Sequence, residues 1–541
     1  MKLTTRNILV TIFGMSFLFS CTDDFDALNQ DPNGVTDTQS AGDFIDIGGP
    51  FDPIFQNIYR YDPAWHTQLQ HNLNADTFSG YMAPPLPFVK GVNTTNYGFV
   101  DFWDQWAWDV PYSARGVMVN VEVIQNLAKE KELPIFSALA LILKVEAMHR
   151  VTDVYGPIIY SNYGLDGTVD FVAFDAQEKV YRQFFQELDE AVAILSQIDE
   201  NNGQFKAFDL VYDGNIPSWI MFANTLRLRL AIRISKVDPT QAKIEGEKAL
   251  SNPGGLITSN DKNFIIKGGQ THPLSIFNSS WNDVRMNASM ESILVGYEDP
   301  RGTKMFQESE VVEGTLKGLR GGMPLLDKYN GDDSQQKSDY VAFSKLGNTY
   351  DLSENPTTDI QLLVAAETHF LKAEAALRGW TGAGDARTNY ERGITTSFSQ
   401  YEASGRVDYI SNSTNTPLDY IDPLTPSNNI EALSDVTIAW NEADDNEKKL
   451  EKIITQKWIA MFPDGQEAWS EFRRTGYPKI FPVVVNNSGG TVDTEIQVRR
   501  LAFPASERST NPQGVEDAKS LLKGPDNAGT RLWWDVPGGN F

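Results

Sequence analysis

The sequence predicts a mainly α protein, a scaffold of paired helices that carries long loop-rich insertions. Three observations support this. Apolar residues recur every three or four positions over several long stretches, which lays a stripe along one face of each helix. These stretches come in pairs, divided by short turns rich in Pro, Gly or Asp. Between the pairs lie residues 45–110, 252–358, 403–446 and 475–541, heavy in Gly, Asn, Asp, Ser and Pro. Such lengths are too great for passive connectors in a packed domain, and ordered loops on a rigid scaffold are where binding sites sit.

At the N-terminus, Lys2 and Arg6 form a short basic region ahead of an apolar run from Ile8 to Phe19. That run is too short to span a bilayer and fits a secretory signal. It ends in Leu18-Phe19-Ser20-Cys21, which resembles a bacterial lipobox, and Cys21 is the only cysteine of the 541 residues. The expected organisation is a signal peptide over 1–20, a lipidated Cys21 with a flexible tether over 21–45, and one domain over 46–541. Two acyl chains already anchor a protein stably, so a lipidated Cys21 would hold it to a membrane. Asp23, Asp24 and Asp26 directly behind it resemble a surface-export signal; physically they make a solvated tether. No later run of eighteen apolar residues occurs, and the block from Phe136 to Val145 fits a buried helix.

The helices follow from spacing. Val180, Phe184, Leu188, Ala191 and Leu195 stand 4, 4, 3 and 4 apart. Trp219, Phe222, Leu226 and Leu230 keep that rhythm, as do Leu362, Ala366, Phe370, Ala373 and Leu377, and Leu450, Ile454, Trp458 and Met461. Asp175, Pro217-Ser218 and Asp238-Pro239 mark helix starts. The expected pairs are 113–131 with 135–150, 217–236 with 239–251, and 359–378 with 383–401. Units of this length resemble tetratricopeptide repeats, although they are not close copies and a generic helical bundle would show the same pattern.

Composition and motifs remove several functions. With 46 basic and 72 acidic residues the net charge is −26, which makes nucleic acid a poor partner. One cysteine allows neither an internal disulfide nor a multi-cysteine zinc site. The five histidines form no HExxH pair, and neither a phosphate-binding GxxxxGK[ST] loop nor a GxSxG elbow is present. No catalytic residue, metal or cofactor is assigned, and the chain is expected not to be an enzyme. Two carboxylates suffice for a glycosidase, so a lipid-anchored hydrolase survives only as a weak alternative. The acidic runs Asp332-Asp333 and Glu442–Glu447 read as solvated loops rather than calcium sites.

Specific segments then carry a resemblance. Leu28-Asn29-Gln30-Asp31-Pro32-Asn33 resembles the N-x-D-P-N opening of SusD-like lipoproteins. Thr152-Asp153-Val154-Tyr155-Gly156-Pro157, Ala223-Asn224-Thr225-Leu226-Arg227-Leu228-Arg229 and Asp299-Pro300-Arg301 are similar to further family segments, in order. The segment Pro157-Ile158-Ile159-Tyr160 departs slightly from the usual order. Phe370–Ala376, Gln456–Ala460, Glu467-Ala468-Trp469, Arg473–Pro478, Arg499–Pro504 and Leu532–Asp535 complete the pattern. The resemblance to the SusD/RagB family of Bacteroidetes outer-membrane lipoproteins covers nearly the whole chain. It implies a tetratricopeptide-like scaffold and ligand loops on one side. It implies a SusC-like TonB-dependent transporter as partner, with captured oligosaccharides as cargo; some relatives serve peptide uptake. Lys372, Glu374, Trp469, Arg473 and Arg474 read as packing or ion-pair residues that mark the family without locating its site.

A sugar-binding site needs aromatic rings against flat C–H faces. Burying ~100 Å² of such a face contributes about 2–3 kcal/mol, less than the ~4.1 kcal/mol of a millimolar complex, so several groups must cooperate. Phe99, Trp103, Trp106 and Val110, like Trp108 and Tyr112, fall at helical spacing and read as core. Rings outside such stripes are the ligand candidates: Trp65, Tyr81, Tyr97 and Trp281, with Asn96 beside Tyr97. The acidic balance weighs mildly against acidic polysaccharides, unless a local basic pocket overrides it.

Overall fold

A computed structural model of the chain describes residues 43–85, 88, 94–165, 167–324 and 342–541. Cys21, the lipobox, the tether up to residue 42, the segment 28–33 and Asp332-Asp333 lie outside the described residues. The described residues fall into two units. Residues 43–49 hold a short helix, Ile45–Gly48. Residues 50–541 hold the scaffold.

The scaffold helices are α1 (Val117–Glu130), α2 (Pro134–Tyr155), α3 (Gln177–Leu195), α4 (Ile216–Arg233), α5 (Pro239–Ser251), α6 (Ala365–Leu377), α7 (Ala386–Gln400), α8 (Asn446–Met461) and α9 (Gly465–Thr475). They pack as the antiparallel pairs α1/α2, α4/α5 and α6/α7, with α3 between α2 and α4 and α8 against α6 and α7. The fold is mainly α and tetratricopeptide-repeat-like, with long loop-rich insertions. The helix starts have local causes. Pro134 opens α2, where its missing N–H costs nothing. Asp238 caps α5, Asp385 caps α7, Asp445 caps α8 and Asp464 caps α9, each accepting from a backbone N–H one turn in. Two glycines set close approaches. A Cβ on Gly246 of α5 would stand 2.1 Å from the Trp380 ring, and one on Gly393 of α7 would stand 2.6 Å from Phe370 of α6.

One expectation changes, and two helix starts gain a cause. Ile360–Leu363 is not the first turn of α6 but a strand, β4, paired antiparallel with β2 (Phe264–Ile266). The apolar run of 360–364 fits a strand, and the Asn263 side chain accepts from Ala365 N at 2.7 Å, which starts the helix there. α3 starts just after Asp175 as expected, but the Asp175 carboxylate does not cap it and accepts instead from the backbone of Tyr160 and Ser161. Pro217 stands in the first turn of α4 as expected, and Asn215 caps that helix, accepting from Ser218 N at 3.0 Å. A second two-stranded ladder joins β1 (Met82–Ala83) to β3 (Arg285–Met286). The acidic run at 442–447 is put to use: Asp445 caps α8, Asp444 pairs with Lys452, and Glu447 accepts from Asn540.

The core where α2, α4, α6, α8 and α9 meet is charged. Arg229 forks onto Glu367 at 2.9 and 2.6 Å. Arg474 forks onto Glu374 at 2.7 Å for both bonds, and Arg150 onto Asp464 at 3.0 and 2.8 Å. Arg233 bonds Glu467 and Glu471. Lys457 lies 3.3–3.7 Å from Glu467, Glu367 and Glu471. All these side chains are buried. Burial pushes the Glu467 carboxyl up, but Arg233, Arg229 and Lys457 outweigh it and hold it at about 2. Arg474, Lys457 and Arg233 do the same to Glu471, also at about 2. Such pairs tie residues of different helices together. Breaking one strands a charge and costs roughly 3–5 kcal/mol. The C-terminal segment enters this core: the Trp534 indole donates to Asp153 at 2.7 Å, as does Tyr181, and Asp535 takes Arg499 in a fork.

Candidate functional site

The candidate site begins at the turn Tyr61-Asp62-Pro63, after which Ala64–Thr67 starts a helix that widens into a π-helix, Gln68–Asp76. The whole π-helical run is buried although six of its nine residues carry polar or ionisable side chains. Its wide turns are held by side chains that reach five residues back. Asn74 donates to the Leu69 carbonyl at 2.7 Å and Thr77 to the Asn72 carbonyl at 3.0 Å. Such segments recur at functional sites, because they re-aim the side chains around them. No amphipathic stripe marks this one, so periodicity did not find it.

At the mouth of this segment four rings meet. Trp65 is 41% exposed and packs edge-on against Trp106 at 4.8 Å and His66 at 3.9 Å. His66 lies at 4.3 Å from Trp106, and Phe102, 56% exposed, stands edge-on to Trp106 at 6.1 Å. Burial, with Arg60 nearby, lowers the His66 pKa, which favours a neutral ring.

A second π-helical turn, Ile276–Trp281, carries Trp281, 38% exposed and stacked on Phe277 at 5.3 Å. Asn278 fixes that turn: its side chain accepts from Leu346 N at 3.0 Å and donates to the Tyr350 carbonyl at 3.0 Å. Asn282 closes it with φ 60. Gln68 joins the two ring-bearing segments by donating to Asp283 at 2.7 Å. Burial pushes the Asp283 carboxyl up to about 6, against the opposing pull of that Gln68 bond. Trp65 and Trp281 thus sit three and two residues from one hydrogen bond.

The other sequence candidates lie differently. Tyr81 has no exposed surface. Its hydroxyl donates to the Trp458 carbonyl, and its ring packs against Trp458 at 4.9 Å and Phe462 at 5.3 Å. It is a core residue because β1 draws it under the loops. Tyr97 is buried as well, at φ 58 and near Phe78. Asn96 is half-buried and binds the backbone, accepting from Gly98 N at 3.3 Å and from Asn487 N at 2.7 Å. Neither tyrosine offers a ring face to solvent. Conversely, the stripe read as core splits. Trp108 and Val110 are buried, but the helix breaks at Gln105, between Asp101–Asp104 and Trp106–Tyr112, and Trp103 and Trp106 are only half-buried, with Phe102 beside them exposed. The motif residues Glu374, Trp469, Arg473 and Arg474 are all buried, as expected of packing and ion-pair roles. Arg301 likewise binds Asp299, Ser397 and Gln456 inside the protein.

Residues 27–535 match the family model described as SusD and RagB outer membrane lipoprotein. The chain belongs to the SusD/RagB family. Among solved structures, it is similar to a chitin-binding SusD homolog from Flavobacterium johnsoniae, at 47% identity and TM-score 0.85, over 92% of this chain and 100% of that one. A SusD homolog from Bacteroides vulgatus is similar at 37% identity and TM-score 0.84, over 93% and 100%. One from Bacteroides uniformis follows at 34% and 0.82, over 91% and 99%. No curated protein matches the chain. Among the described residues no helix is long and apolar enough to cross a membrane.

Proposed function

We propose that this SusD-like chain is a cell-surface glycan-capture lipoprotein that passes oligosaccharide to a SusC-like TonB-dependent outer-membrane transporter and performs no chemistry on it. Residues 1–20 act as the signal peptide, Cys21 as the lipidation site, and the segment up to residue 45 as the tether. The exposed rings Trp65 and Trp281, linked through Gln68 and Asp283, carry the reading. Two aromatic faces, with Phe102 beside one of them, supply the several apolar contacts that a sugar chain needs.

The proposed cargo is a chitin-type oligosaccharide, uncharged and flat-faced. The similarity to a chitin-binding homolog supports it, as does an aromatic rather than charged face. Calorimetric titration of the purified chain with chitohexaose, cellohexaose and maltohexaose tests it. Chitohexaose should bind most tightly, and no new reducing ends should appear on incubation. Equal or tighter binding of maltohexaose removes the chitin class. Binding of peptides with no binding of any glycan removes the glycan reading. On intact cells, external protease should cut the protein, and Cys21→Ser should release it from the membrane.

A further inference from the structure

At the C-terminal end of α9 a cavity of about 460 Å³ is lined by Lys236, Arg473, Arg474, Lys479, Arg499 and Arg531, against a single acidic lining residue, Glu495. This is an unusual concentration in a chain of charge −26. Partners account for only part of it. Arg474 is neutralised by Glu374 and Glu471. Asp535 is shared by Arg499 and Arg531, which leaves one positive charge over.

The other three cations have no carboxylate partner among the described residues. Arg473 spends its guanidinium on the Asp153, Arg499 and Trp469 carbonyls and the Ser470 hydroxyl, above the Trp469 ring. Lys236 donates to the Arg474 and Gly538 carbonyls. Lys479 is exposed over the Tyr477 ring. Burial and the neighbouring cations lower Arg473 to about 9 and Lys236 to about 8, so the cavity already holds more positive charge than it accommodates easily. Glu447 and Glu451 lie near Lys236 and Lys479 but are bonded elsewhere, to Asn540 and Ser434.

We propose that this cavity is a binding site for a small oxyanion, the carboxylate of a sugar acid or a free sulfate or phosphate. Lys479, Lys236 and Arg531 touch the anion, and the buried Arg473 and Arg499 supply field from beneath, where water screens little. The volume suits a single monosaccharide or a smaller ion. The site is separate from the aromatic face, since α9 places about 16 Å of helix between the residue that meets Asp76 and the end that opens here. It does not rest on the glycan-capture reading.

Titration of the purified chain with sodium glucuronate, sodium sulfate and glucose, followed by calorimetry at low and high salt, tests the proposal. Glucuronate or sulfate should bind saturably, more weakly at high salt, while glucose should not bind at this site. Tighter glucuronate than sulfate identifies a sugar acid; equal affinity identifies a free oxyanion. Lys479→Ala should weaken binding roughly tenfold, and Lys479→Glu with Arg531→Ala should abolish it. Both positions reach solvent, so the variants should melt like the parent and keep chitohexaose binding. Absence of saturable anion binding, or anion binding that both variants leave unchanged, overturns the proposal.

Discussion

The charged core around α9 and the aromatic face around Trp65 adjoin, yet they are built from opposite materials. In the core, long side chains are buried and locked in forked ion pairs between helices. At the face, rings are only half covered and held by few polar bonds. The family's most recognisable residues lie in the first region. The proposed glycan contacts lie in the second. A residue's value as a family marker therefore says more about register than about recognition. The two meet where α9 starts. A Cβ on Gly465 would stand 2.3 Å from Asp76 at the end of the π-helix, and Trp469 packs on Phe78 at 5.2 Å.

The largest effect that would break this contrast is in the core. Arg229→Ala or Glu467→Gln should cost roughly 3–5 kcal/mol of stability, read as a large fall in the denaturation midpoint. A variant of either kind that melts like the parent would mean the network is dispensable.

The next effect is in pH. Glu467 and Glu471, held at about 2, stabilise the fold fully above ~4.5, and that contribution is lost as pH falls toward 2. Carboxyls near the face run the other way. Burial raises Asp283 to about 6 and Asp104 to about 8. Their contribution is full below ~4 and fades as pH rises through those values. Melting curves from pH 2 to 9 should show a steep acid limb and a shallower alkaline decline. Asp283→Asn should flatten the part of that decline near pH 6.

Third, Trp65→Ala and Trp281→Ala should each cost about 2 kcal/mol of glycan affinity, roughly thirtyfold, with little change in melting temperature. Loss of fold in either variant would place that ring with the core. The smallest effect sharpens the boundary: Tyr81→Phe should lose about 1 kcal/mol of stability through its bond to Trp458 and leave affinity unchanged.

Periodicity and caps made the scaffold legible, because an amphipathic helix writes its buried face every 3.6 residues. α3 carries the full stripe from Val180 to Leu195, and Asp238-Pro239 starts α5 where it should. The strand at 360–363 was hidden because a short apolar run fits either period until its partner is known. The π-helix at 68–76 was illegible for a deeper reason: polar side chains that bond within the fold look solvated in sequence. The same limit separated the ring candidates. Trp65, Tyr81, Tyr97 and Trp281 all stand among polar or turn-forming neighbours. Only tertiary packing tells the two exposed ones from the two that β1 and Phe78 cover. Trp103 and Trp106 were read as core but are only half-buried, since the helix breaks at Gln105.

The bond between Trp534 and Asp153 spans 381 positions. Its consequence is one of timing. Asp153 leaves the ribosome well before Trp534 and Asp535, which complete the surroundings of Asp153 and Arg499. The scaffold cannot be finished helix by helix as it emerges. Contacts of this kind wait for residues made hundreds of positions later, as in other folds dominated by distant pairings.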